Sequence, residues 1–204
     1  MIPSHHPHSE TLISYASGTL PSAVACVLAC HLSMCVECAD QVRWLEMLGG
    51  VMLGDIEIAD AEPAHTERAV AQLSVRRRAC EAGCEPMTKI DDALLPMPLA
   101  RYLGINAAEI SWKPIGSGGQ ERSITLPIGF GSIKLLRLSP GQRLPAHSQA
   151  LETEVALVLQ GACRDNAGYY VRGDIIERTE PPLPRPMVSG EAKCVCLIAD
   201  QAAG

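Results

Sequence analysis

The sequence predicts two domains of different class: an all-α unit over residues 1–85, a linker over residues 86–99 and an all-β unit over residues 100–204. Three observations lead there. From Leu12 to Leu48, apolar residues recur at three- and four-residue spacing, the period of helices with one buried face. After residue 100 they come instead in short β-branched runs punctuated by Gly and Pro, the pattern of a sandwich or small barrel. Between the two lies a hydrophilic, proline-bearing stretch suited to an interdomain connection.

Ser9-Glu10-Thr11 starts a short first helix, with Leu12, Ile13, Tyr15 and Ala16 as its apolar residues and Gly18 as its end. A second begins at Leu20-Pro21-Ser22, where proline is tolerated in the first turn, and carries Val24, Val27, Leu28 and His31 at helical spacing. A third runs from about Cys35 with Val42, Leu45 and Leu48 on one side and Trp44 on a neighbouring one; Gly49-Gly50 is expected to stop it. Small helical units of this kind bury little and commonly depend on a metal or disulfides. Thr66 is expected to cap a fourth helix reaching Cys80, whose apolar face is too sparse for a core and suits a partner or solvent.

His31, Cys35 and Cys38 set three soft donors on one face of a helix or helix start. A fourth donor would close a tetrahedral zinc site, and His5, His6 and His8 are the histidines near the N-terminus. The competing reading of Cys35-x-x-Cys38 is a thioredoxin-like redox pair, but that motif follows a strand in a βαβ unit and this one sits in a helical pattern. Two cysteines can also be small core hydrophobes; His31, one helical turn before Cys35, separates the readings. With four protein ligands the ion leaves no open position for chemistry and is structural, contributing on the order of 10–16 kcal/mol to folding as in small zinc peptides.

Lys and Arg number 17 against 23 Asp and Glu, a formal charge of −6. That balance gives no basic footprint for phosphate backbones, so direct nucleic-acid binding is not expected. The nine cysteines are an odd number scattered along the chain, the usage of a reducing compartment. The polar, proline-broken start lacks an export signal, and the apolar run from Leu20 to Cys30 is too short to span a membrane. A cytoplasmic protein without a membrane partner is the expectation.

His6, nine residues before Tyr15 in "HHPHSETLISYASGTL", together with "ACHLSMCVECADQVRWLEMLGG", resembles the zinc-binding anti-sigma domain, most closely the ChrR type that carries a cupin-like C-terminal domain. The resemblance implies that His6, His31, Cys35 and Cys38 bind one structural zinc, with His6 favoured over His5 and His8 by its fixed distance to Tyr15-Ala16-x-Gly18. It implies an extracytoplasmic-function-type RNA polymerase sigma factor as the sequestered partner, with the fourth helix inserted between two sigma domains. It also implies that the C-terminal half couples to an oxidative signal such as singlet oxygen or peroxide.

Within the β unit, Gly141, His147, Glu154 and Gly161 fit the first cupin motif, Gly-x5-His-x-His-x(3,4)-Glu-x6-Gly. Gln149 stands where the second histidine belongs, Pro184 lies near where ChrR-type cupins carry the last one, and no histidine follows His147. A site of His147, Gln149 and Glu154 lacks two imidazoles, so a jelly-roll shell without a firmly bound second metal is expected and no catalytic residue is assigned. The sequence therefore reads as a non-enzymatic regulator whose helical domain alone holds the partner. A cupin metalloenzyme is disfavoured by the missing ligands. A thiol-based redox or zinc-handling protein rests only on Cys26/Cys30 and Cys80/Cys84 at helical spacing.

Overall fold

The helical periodicity becomes three helices in the computed structural model: α1 (Ser9–Ala16), α2 (Ser22–Leu32) and α3 (Val36–Gly54). The structure describes residues 2–56, 66–68, 70, 89–90, 93–103, 111–116, 118–125, 132–145, 154–178 and 185–200. Helix α3 does not stop at Gly49-Gly50 but runs through both. Glycine in a helix costs about 1 kcal/mol against alanine and removes no hydrogen bond; it terminates a helix only where it turns left-handed. Neither Gly49 nor Gly50 has a positive φ. Residues 66–68 and 70 are helical, and the rest of the expected fourth helix, Cys80 included, lies outside the described residues.

Within the stretch read as a linker, two short strands, β1 (Lys89–Ile90) and β2 (Ala93–Leu94), form an antiparallel pair and are followed by α4 (Met97–Leu103). Leu95 and Leu99 beside them are buried. The β unit then supplies β3 (Lys113–Ile115), β4 (Gly119–Thr125), β5 (Ser132–Leu138), β6 (Glu154–Gln160), β7 (Ala162–Arg164), β8 (Tyr169–Val171), β9 (Ile175–Arg178), β10 (Met187–Val188) and β11 (Cys194–Asp200). Six of them make one antiparallel sheet in the order β3-β4-β5-β11-β6-β9, and β10-β7-β8 make a second.

The larger sheet is the middle layer, and its strands say so. Alternate residues of a strand point to opposite faces. In β6, Val155, Leu157 and Leu159 belong to one core cluster while Ala156 and Val158 belong to another; in β11, Val195, Leu197 and Ala199 divide in the same way from Cys194, Cys196 and Ile198. Both strands are therefore apolar on both faces. One face packs with Cys163 and Tyr170 of the small sheet, and the other packs against α2.

Helix α2 reconciles these layers with the helical half. Its sequence, Ser-Ala-Val-Ala-Cys-Val-Leu-Ala-Cys-His-Leu, has no Asp, Glu, Lys or Arg, and a helix apolar all round is one buried on more than one side. Ala23, Val24, Cys26, Val27 and Cys30 share a cluster with Leu95, Leu99 and the large sheet, while Leu28 turns the other way to join Leu12, Cys35, Cys38 and Val42. The helices thus close a small cluster of their own through Leu28 and share a larger one with the sheet through the opposite side of α2. Cys26 and Cys30, both buried in that cluster, are core thiols. Leu99 sits at the junction with no exposed surface, so Leu99→Ala is expected to lower unfolding free energy by about 2–5 kcal/mol in denaturant titration. A loss below about 1 kcal/mol would place Leu99 outside the shared core.

Candidate metal centre

Two helix ends and an extended segment build the site. His31 lies in the last turn of α2, its carbonyl accepts the backbone N–H groups of Met34 and Cys35 at 2.8 and 2.9 Å, and this tight connection places Cys35 at the N-cap of α3. Cys38 follows in the first turn of α3, on the same side as Cys35. The N-terminal segment crosses in front of them, and one donor atom from each of His6, His31, Cys35 and Cys38 falls within 4.8 Å of the others. His6 Nδ1 stands 3.4 Å from Cys35 Sγ and 3.2 Å from Cys38 Sγ. A tetrahedral ion with bonds of about 2.0–2.3 Å spaces its donors roughly 3.3–3.8 Å apart, and these two separations lie close to that range.

The two imidazoles are held so that opposite nitrogens face the sulfurs. His31 Nδ1 donates to the Gly173 carbonyl at 2.7 Å, which leaves Nε2 with its lone pair free; that nitrogen is buried and has no hydrogen-bond partner. An orphaned buried acceptor beside two thiols is the signature of a missing ligand bond. His6 uses Nδ1 toward the sulfurs and has Nε2 3.8 Å from Glu37 Oε2. Burial lowers the pKa of His31 despite the Gly173 carbonyl, which favours its protonated form, so the ring is kept as the neutral species that binds metals. Burial, and then the neighbouring Cys35, push the Cys38 thiol up to about 12. The arrangement can hold a metal ion.

His5 and His8 do not join the cluster. His5 Nδ1 is 3.2 Å from Asp174 Oδ2, its ring lies 4.5 Å from that of Tyr170, and His8 Nδ1 is 3.7 Å from Glu177 Oε1. They flank His6 as anchors of the segment that carries it. This use of carboxylates more than 160 residues away in the chain, Asp174 and Glu177, had no signal in the local sequence.

Of the positions that the sequence aligns with a cupin motif, His147 and Gln149 lie outside the described residues, as does Pro184. Glu154 is half-buried at the start of β6, opposite Arg178 of β9. Burial raises its pKa while Arg178 and Arg185 pull it down. The cavity beside it measures about 10 Å³, no more than one water needs.

A second feature escaped the sequence reading. Val42 of α3 is buried and Leu45 half-buried, but Leu48, assigned to the same face, is 59 % exposed, and Trp44 and Val51 are exposed at 70 % and 68 %. Trp44, Leu45 and Leu48 border a groove of about 500 Å³ whose other walls are Ser9, Leu12 and Ile13 of α1 and Gln41 of α3.

Replacing Cys35 and Cys38 together by Ser is expected to remove bound metal, read by elemental analysis, and full metal stoichiometry in the double variant would contradict the site. Because the thiols must lose protons to bind, metal affinity should fall as pH falls, with proton release on loading measurable in weakly buffered solution. A pH-independent affinity between pH 6 and 8 would contradict thiolate ligation.

No protein-family model matches the chain. It is 32% identical over 201 residues to the anti-sigma-E factor ChrR of Cereibacter sphaeroides, a match spanning 97% of this chain and 90% of the relative. The crystal structure of Rhodobacter sphaeroides SigE in complex with the anti-sigma ChrR superimposes with a TM-score of 0.78 at 29% identity, covering 98% of this chain and all of that one. An RmlC-like cupin protein of Ralstonia eutropha overlaps 47% of this chain at 17% identity and a TM-score of 0.37. With a helical unit that gathers two histidines and two cysteines, a β unit carrying most of a cupin motif, and this identity over nearly the whole length of both chains, the protein belongs to the ChrR family of anti-sigma factors.

Proposed function

We propose that this protein sequesters an extracytoplasmic-function-type sigma factor of RNA polymerase, acting by binding rather than catalysis. The observation that carries the reading is the bare apolar face of α3. Trp44, Met47, Leu48, Val51 and Met52, which helical spacing puts on one side of α3, are each 59–70 % exposed. A contiguous apolar surface of that kind marks an interface, and an exposed tryptophan beside a groove is a typical anchor. The superimposed ChrR chain is held in a complex with SigE, which supports a sigma factor as the class of partner.

In this reading the ion is zinc, bound by His6, His31, Cys35 and Cys38. Two thiolates and two imidazoles suit its softness and tetrahedral preference, and four protein ligands make it structural. The zinc fixes the start of α3 against the end of α2, and so fixes the direction in which the apolar face points. The division at residues 1–85, 86–99 and 100–204 is retained as domains by sequence, with α2 backed by the sheet and the partner surface on α1 and α3. The cupin-like half is the stress-sensing module, without a second firmly bound metal. No described helix is long and apolar enough to cross a membrane, and a cytoplasmic site of action agrees with the partner.

Trp44→Ser and Leu48→Asp alter side chains that the core does not use. Each is expected to weaken sigma binding by more than tenfold in a pull-down or calorimetric titration, while metal content and the circular dichroism spectrum stay as in the unaltered protein. Unchanged affinity in both variants would remove α3 from the interface.

A further inference from the structure

Groups of the β unit hold the histidine-bearing segments of the proposed zinc site. The turn between β8 and β9, residues 172–174, meets His31 and the segment that carries His6. Its Gly173 carbonyl accepts the proton of His31 Nδ1 at 2.7 Å. Asp174, with no exposed surface, accepts the backbone N–H groups of Ser4 and His5 at 2.7 and 3.1 Å, and that of Val171 at 2.8 Å. The Ile175 N–H donates back to the His5 carbonyl at 3.1 Å, and Glu177 accepts the His8 N–H at 2.7 Å. His6 is thereby strung between two anchored neighbours. Gly173 itself has φ +95°, and a Cβ there would stand 2.8 Å from Pro3 Cγ, so the turn and the N-terminal segment are in direct contact.

We propose that Gly173 and Asp174 are positioning residues for the zinc, through which the cupin-like half and the sigma-binding half are energetically coupled. The proposal rests on the metal assignment made above. The carbonyl selects the His31 tautomer whose Nε2 faces the sulfurs, and the carboxylate sets the height of the His6 backbone over them. Outer-shell groups of this kind change metal affinity by about 10–100-fold. Coupling is reciprocal, so a displacement of the turn loosens the ion, and the ion in turn tightens the turn.

The test uses the full-length zinc-loaded protein, with zinc release to a chromophoric chelator as the readout. Gly173→Ala and Asp174→Asn are each expected to speed release by about tenfold or more. Arg143→Gln, elsewhere in the β unit, is expected to leave it unchanged. Adding Pro3→Gly to Gly173→Ala removes the contact that the new methyl group would make, and should recover at least a third of the lost retention. Cobalt-loaded variants should show shifted visible ligand-field bands, which a purely structural loss would not produce while the protein remains folded. If Asp174→Asn fails to fold, Glu177→Gln with Thr11→Val, which removes the hydrogen bond that the Thr11 hydroxyl donates to Glu177, loosens the same segment from its outer end and should also speed release. Release within twofold of wild type, with unshifted cobalt bands in folded variants, overturns the coupling. A wild-type chain that retains no zinc or cobalt instead overturns the metal assignment itself.

Discussion

His31 is where the two halves of the fold meet. Its ring is buried, one nitrogen is tied to the Gly173 carbonyl at 2.7 Å, and the other is left without a partner beside Cys35 and Cys38. A buried polar atom without a partner costs about 1–3 kcal/mol, and two apposed thiols contribute little to offset it. A metal ion resolves all of these at once. The rest follows from the position of that ring: α2 must run along the sheet to carry it there, α3 must begin directly beyond it, and the N-terminal segment must cross over to close the site.

This constraint explains why the helical half was legible in the sequence and its packing only partly so. The spacing of His31, Cys35 and Cys38 is local, and a helix end translates it directly into geometry. The choice of His6 came from a resemblance, and the structure places that residue among the sulfurs while giving His5 and His8 to Asp174 and Glu177. Those contacts join segments about 170 residues apart, and no periodicity encodes them. The lack of charge in α2 was a readable sign of burial on two sides. The Gly49-Gly50 pair misled because helix propensity is a weak local preference, easily passed over when nothing beyond it forces a left-handed turn.

The same logic accounts for the outer face of α3. A helix clipped at its N-terminus by Cys35 and Cys38 and packed through Val42 can leave Trp44, Leu48 and Val51 bare without losing its place. Such a surface is costly in a lone protein and makes sense in one that spends its time bound. The β unit, for its part, keeps the apolar shell of a cupin through its two-faced strands β6 and β11, which do not depend on a metal.

The claim on which all of this turns is that two sulfurs and two imidazole nitrogens surround one ion. X-ray absorption at the zinc edge of the purified protein tests it most directly. One zinc per chain is expected, with two sulfur neighbours near 2.3 Å and two nitrogen neighbours near 2.0–2.1 Å. A shell of oxygen and nitrogen alone, or a protein that carries no zinc after purification without chelators, would contradict it.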